Sequence, residues 1–444
     1  MDHFAYRDGV LYAEGVRLAD LAGAIGTPCY VYSRATLVEH YDRLKAAFAE
    51  LSPLICFSVK ACPNVHVLKV LAERGAGMDV VSGGELHRAL KAGVGPERIA
   101  VAGVGKTDHE IRAALTGGAG PGESPRPVAV FNVESEPEFE VVAMAARALG
   151  VHASAALRVN PHVTAGGHAK ISTATKESKF GVAIPHARAL FEKFARERHL
   201  RLSGIHIHIG SSINQPAPFV EAIQRILELV DELARAGVKI ETLDLGGGFG
   251  ADYQTGAAPA YAEFAAAIVP LLRERVRQGL KIVMEPGRTI AASAGVLLTR
   301  VLYVKHSAGK KFIVCDAGMN TLIRPSLYDA FHFIWPASVS PQHEPPRRAA
   351  DLDLPGLERA DVVGPVCESG DFLAHDRLLP TVARGELMAV FTAGAYGMSM
   401  ASRYNSHPLP AEVLVDAARA TLIRERETFD DLTAHEQRPR DVPV

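Results

Sequence analysis

The 444-residue sequence predicts an α/β protein, a (β/α)8 TIM-like barrel with a C-terminal all-β barrel or sandwich domain. Three observations carry that expectation. From about residue 28, short β-branched runs alternate with longer amphipathic stretches. Eight such runs fall within about 230 residues, the count and length of a (β/α)8 barrel. After Glu285 the texture changes to short β-rich segments separated by Gly, Pro and Asp turns.

The strands read, in order, LICFSV (54–59), GMDVV (77–81), RIAVA (98–102), PVAVF (127–131), ASAALRV (153–159), LSGIHIH (202–208), ETLDL (241–245) and KIVME (281–285). Helical patterns such as VHVLKVLAERG, GELHRALKAG, EPEFEVVAMAARALG, FVEAIQRILELVDELARAG and AYAEFAAAIVPLLRERVRQG lie between most of them. Apolar residues recur there at i, i+3, i+4 and i+7, and glycine often closes the helix. A doubly wound open sheet is the alternative, but it normally uses fewer strands. The barrel is assigned to 28–290. The strand-like residues 1–27 join 291–430 in the β-rich domain, and 431–444 read as a tail. The Gly/Pro-rich or charged stretches 117–127 and 337–353 read as exposed insertions.

Composition excludes several classes. Lys+Arg total 48 against 50 Asp+Glu, so no global basic field recruits nucleic acid or an anionic membrane. The five cysteines are scattered and lack CxxC spacing, which argues for a reducing compartment and against a disulfide scaffold or a zinc ribbon. MDHFAYRDGVLYAEG lacks the pattern of a signal peptide, and no apolar run nears the roughly 18 residues of a membrane span. A cytoplasmic location is expected.

Active sites of such barrels form at the carboxyl ends of the strands. The first strand ends in Lys60 and the second carries Asp79; the sixth leads to His206, His208 and Ser211. The seventh runs into Gly246-Gly247-Gly248, and the eighth ends in Glu285-Pro286-Gly287-Arg288. A lone strand-end lysine ordinarily snorkels its charge into water, and a glycine run is ordinarily a flexible turn. Together these residues describe something else. Lys60 can form a Schiff base, the glycine amides with Ser211 can cradle a phosphate, and His208 can stack on a flat ring. Glu285 can hold a ring nitrogen protonated, which makes the ring an electron sink. That set describes pyridoxal 5'-phosphate (PLP). His206 and His208 as an HxH metal site are the competing reading. It wants further histidines and an aspartate at other strand ends, and the sequence reading finds none placed there. No metal is therefore assigned, and His206 reads as a packed or hydrogen-bonded core residue.

The motifs FSVKA, MDVVSGGEL, HIHIGSS, LDLGGGFG, EPGR, DAGMNTLIRPSLYDA, GPVCESGD and AGAYGMSMASRYN resemble those of the fold-type III PLP-dependent decarboxylases, and among them the diaminopimelate decarboxylases. The resemblance runs from about residue 5 to 430. It implies a head-to-tail homodimer with active sites completed across the interface. It implies decarboxylation of meso-2,6-diaminopimelate to L-lysine, the last step of lysine biosynthesis. By resemblance Lys60 is the Schiff-base lysine, and Asp79, Ser211, Gly247, Gly248, Gly287, Arg288 and Tyr396 join His208 and Glu285 around the cofactor. Arg288, Arg324, Tyr328, Glu368 and Tyr396 match the substrate contacts. Cys367, the implied proton donor, and Glu368 come from the other subunit. The substrate also follows from charge: its far end needs a cation for a carboxylate, suited to Arg288 and Arg324, and an anion for an ammonium, suited to Glu368. Ornithine-acting relatives show Cys-Asp at the Cys367-Glu368 position and lack the Ile323-Arg324-Pro325 segment. Cys62 and Lys170 depart from the family pattern, where asparagine and an aromatic residue are common. The alternatives are a related decarboxylase acting on carboxynorspermidine or another carboxylate-bearing amine, a metal-dependent hydrolase, and a non-enzymatic PLP-binding protein.

Overall fold

The computed structural model describes residues 2–120, 122–163, 179–254 and 260–436. Lys170 and most of the predicted tail lie outside them. Two units separate by contact density: Val38–Ala251 with Pro259–Ile290, and Met1–Leu37 with Asp252–Ala258 and Ala291–Val444.

The first unit is a closed barrel of eight parallel strands: β1 (Leu54–Ser58), β2 (Gly77–Val80), β3 (Ile99–Val101), β4 (Val130–Val133), β5 (Ala153–Asn160), β6 (Leu200–His206), β7 (Thr242–Asp244) and β8 (Lys281–Met284). Each strand pairs with the next, and β8 pairs with β1 to close the ring. The predicted strands are found, with shifted ends. PVAVF becomes Val130–Val133 because the amides of Val128 and Ala129 bond outside the ladder, to Ala114 O and to Pro96 O and Ile99 O. The sixth strand stops at His206, so His208 sits in the following loop and does not share a strand face with it. Within the barrel Cys56, Ala100, Val130, Ala156 and Val283 form a cluster of mostly small side chains with Leu54 packed against it.

Helices fill the connections as their periodicity requires. Val65–Glu73 starts where the sequence breaks after Lys60, because the Asn64 side chain caps it by accepting from His66 N at 3.0 Å. Asp108–Thr116 opens on a Thr107/Glu110 capping box and closes on Gly117 in the left-handed region.

The second unit is built on a mixed sheet. Its strands run Phe372–Leu379, Glu358–Val363, Lys310–Cys315, Gly295–Ser307, Cys29–Ser33, Ala411–Asp416 and Arg419–Arg424. Gly295–Ser307 organises it, pairing early with Cys29–Ser33 and Leu387–Val390 and late with Lys310–Cys315. Cys29–Ser33, assigned to the barrel segment on sequence, therefore lies in this sheet. Residues 4–17 form a separate three-stranded antiparallel sheet in the same unit. Among the described residues no helix is long and apolar enough to cross a membrane.

Candidate active site

Barrel geometry gathers the predicted strand-end residues. Ser58 and Asp79 are register partners on β1 and β2, and His206 and Asp244 on β6 and β7. The ladder runs on past the strands, with Glu285 N donating to Gly246 O at 2.8 Å and Ser58 N to Pro286 O at 3.0 Å. This closes β7, β8 and β1 into one ring of side chains.

Lys60 occupies a single 3-10 turn, Val59–Ala61, directly after β1. Its ammonium lies 3.1 Å from Asp79 Oδ2; the Lys60 side chain is 37% exposed and that of Asp79 wholly buried. The Ser58 hydroxyl lies 2.7 Å from the same carboxylate oxygen and 2.9 Å from Glu285 O. Both are acceptors, so its one proton serves them in turn. Asp79 Oδ1 is buried and makes no hydrogen bond among the described residues, so an added N–H or O–H donor would be stabilised there.

Glu285 is buried at the end of β8. Asn132 Nδ2 donates to its Oε1 at 2.8 Å and reaches Asp244 Oδ2 at 3.1 Å, while His206 Nε2 lies 3.2 Å from Glu285 Oε2. Burial, reinforced by the Asp79 charge, pushes the Glu285 carboxyl up to about 8. Burial and the neighbouring Glu285 likewise raise Asp244 well above the ordinary carboxylate range. His206 is pushed down to about 4 by burial. On sequence, the further histidines and the aspartate that an HxH metal site wants are not placed for it at other strand ends. The structure places Asp244 and Glu285 beside His206, with ligand atoms of the three residues within 4.8 Å of one another. They gather around His206 alone. His208 turns to the glycine loop, where Gly247 N donates to its Nδ1 at 3.2 Å. That contact leaves the proton on Nε2, and burial followed by the Arg158 and Lys60 charges holds the imidazole neutral.

The glycine loop offers fewer donors than three consecutive glycines suggest. Gly246 N is taken by Asp244 Oδ1 at 2.8 Å and Gly247 N by His208. The glycines are required for backbone approach instead. A Cβ on Gly247 would lie 2.3 Å from Glu285 O, and Gly248 has φ +98° with its Cβ position 2.5 Å from Gly210 O. Beside this loop Arg288 Nη2 donates to Ser211 Oγ at 3.1 Å. Gly287 lets the β8 end close on the Lys60 turn, since a Cβ there would lie 2.9 Å from Ser58 Cβ and 3.0 Å from Ala61 Cβ.

The remaining predicted residues belong to the second unit. Arg324 and Tyr328 open and close the short helix Arg324–Tyr328, with Arg324 buried. Cys367 and Glu368 are exposed on a loop. Cys367 N donates to Asn405 Oδ1 at 2.7 Å, and Tyr404 reaches Glu368 Oε2 at 3.4 Å. Buried Asp371 holds that loop to the Asp316–Asn320 segment by accepting from Val366 N and Met319 N, each at 2.6 Å. Tyr396 adopts φ +57°, a conformation costly for a bulky residue and concentrated at functional sites. Sequence reasoning missed Asn132 and Ser58 and gave Asp244 no role. A polar residue inside the apolar run Val130–Val133 was the available signal for Asn132.

A family profile described as "Pyridoxal-dependent decarboxylase, pyridoxal binding domain" matches residues 34–292. The chain is 47% identical to a diaminopimelate decarboxylase from Pseudomonas aeruginosa, over 98% of this chain and 99% of that one. It is 44% identical to one from Aquifex aeolicus, over 96% of each. Among solved structures, diaminopimelate decarboxylase from M. jannaschii in complex with L-lysine superposes with a TM-score of 0.88 at 33% identity, covering 99% of this chain and 98% of that one. The chain belongs to the pyridoxal-dependent decarboxylases and, within them, to the diaminopimelate decarboxylase family.

Proposed function

We propose that this chain decarboxylates meso-2,6-diaminopimelate to L-lysine and carbon dioxide with PLP as cofactor, in the last step of lysine biosynthesis. The observation that carries the reading is the ring of strand-end groups around Lys60, with Asp79 3.1 Å from its ammonium and the buried Glu285 held by Asn132 and His206. The donor set fits the cofactor. A primary amine, an open buried acceptor on Asp79, a neutral histidine and a carboxylate with a raised pKa are the partners an aldehyde-bearing pyridine phosphate requires.

Lys60 would hold the cofactor covalently through its amine, and in this structure Asp79 Oδ2 lies 3.1 Å from that ammonium. His208 would lie against the ring face as a neutral imidazole. Glu285 would sit at the ring nitrogen, with Asn132 and His206 fixing its orientation. Ser211, the Gly248 amide, Gly287 and Arg288 would surround the phosphate, with Gly247 allowing close approach and Tyr396 offering a further cofactor and substrate contact. When bound, PLP supplies the electron sink for the electrons of the broken Cα–carboxylate bond. Arg288, Arg324 and Tyr328 grip the distal carboxylate and Glu368 the distal ammonium. Cys367 Sγ delivers a proton to the carbon that has lost carbon dioxide. Cys367 and Glu368 of one subunit serve the active site of the other, in a cytoplasmic homodimer. Their exposure on this chain supports that arrangement.

The test is carbon dioxide release by the PLP-loaded enzyme from meso-diaminopimelate and from carboxynorspermidine in parallel. Release from the first with stoichiometric L-lysine is expected. A preference for carboxynorspermidine would overturn the substrate assignment.

A further inference from the structure

We propose that His332 is a positioning residue for this reaction: its neutral imidazole fixes the Arg324 guanidinium in the orientation that grips the distal carboxylate. The proposal rests on the reading of Arg324 given above.

Local chain geometry brings the two residues together. The helix Arg324–Tyr328 ends at Asp329 with φ +51°, and this left-handed residue turns the chain back. His332, eight residues after Arg324, thereby places Nε2 2.9 Å from Arg324 Nη1. Its Nδ1 lies 2.9 Å from Phe391 O. A guanidinium presents only N–H groups and stays protonated, so Nε2 must be the acceptor. A carbonyl only accepts, so Nδ1 must carry the proton. The two neighbours therefore specify one neutral tautomer, in a side chain fully buried from solvent. Tyr253 completes the setting: the Arg324 guanidinium lies 4.5 Å from its ring centroid, and His332 meets the same ring edge-on at 5.3 Å. A guanidinium is a rigid planar fork, so fixing one nitrogen and the plane fixes the direction of every donor. Bidentate capture of a carboxylate depends on that direction.

The experiment uses the PLP-loaded full-length enzyme with H332N, H332Q and R324Q. Asparagine keeps a donor for Phe391 O, but its Oδ1 is too short to reach Arg324; glutamine reaches Arg324 with Oε1. Thermal melting and PLP absorbance identify folded variants. H332N is expected to raise KM for meso-diaminopimelate about tenfold with kcat within about threefold, and H332Q to restore KM to within about threefold of wild type. Inhibition by L-lysine, which retains the distal carboxylate, should weaken in parallel in H332N. Inhibition by cadaverine, which lacks that carboxylate, should stay unchanged. Equal weakening of cadaverine, or a wild-type KM in H332N while R324Q raises it, overturns the role of His332. An unchanged KM in R324Q removes the reading of Arg324 itself.

Discussion

The strand ends of the barrel and the loops of the second unit solve different problems. At the strand ends, Asp79, Asn132, His206, Asp244 and Glu285 are buried and mostly hydrogen-bonded to one another or to adjacent backbone. In the second unit Cys367 and Glu368 are exposed, and Arg324 is buried among Tyr253 and His332. Groups that tune a resident cofactor must hold their protonation state, which a low-dielectric, cross-bonded cluster provides. On the proposed reading Cys367 and Glu368 serve another subunit, and their exposure leaves their side chains accessible to it. Arg324, the proposed reader of substrate charge, is buried like the strand-end groups and fixed in direction by His332 and Tyr253.

Substitutions on each side of that comparison should differ in kind. The largest effect falls on Lys60: K60A should lower kcat by roughly 10⁴-fold, measured as carbon dioxide release, because covalent attachment of the cofactor is lost and the Lys106 ammonium is already engaged by three acceptors. Next, K60A and C367A chains, each inactive alone, should recover about a quarter of wild-type activity when mixed and re-associated. Half the dimers then pair one of each, and one site in such a dimer is intact. No recovery would mean that both residues serve one chain's own site. G248A should weaken PLP binding about tenfold by titration, since φ +98° strains an alanine and its Cβ meets Gly210 O.

The smallest effect is on stability against pH. With Glu285 raised from the ordinary 4.5 to about 8, the cofactor-free folded protein keeps a proton that the unfolded chain has released. Its contribution to stability is complete below about pH 4.5 and is lost as pH rises through about 8. E285Q should therefore show a shallower fall in denaturation midpoint than wild type between those values. An identical pH dependence in both proteins would break the account of Glu285.

Much of this contrast was legible in the sequence, for a physical reason. The barrel announces itself because strands buried on both faces read as apolar runs at regular intervals, and Lys60, Glu285 and the glycine run, each unremarkable alone, become informative because all fall at the ends of those strands. Asn132 was hidden because an isolated polar residue in a strand carries no spacing signal; its meaning lies in Glu285 and Asp244, which are distant in sequence. The surplus of donors expected from Gly246–Gly248 was misjudged for a related reason. Which amides are already bonded depends on where His208 and Asp244 come to rest. His332 carried no motif, and its role rests on a turn at Asp329 that composition does not reveal.

The most direct test of the cofactor site is borohydride reduction of the PLP-loaded enzyme, followed by peptide mapping. Lys106 is the instructive competitor. Its side chain, unlike that of Lys60, is buried, and its ammonium is engaged by Gly103 O and Asn132 O at 2.8 Å and by Glu138 at 2.6 Å, which uses its three donors. Lys60 should carry the pyridoxyl mass alone. A label on Lys106 or on any other lysine would contradict the site described here.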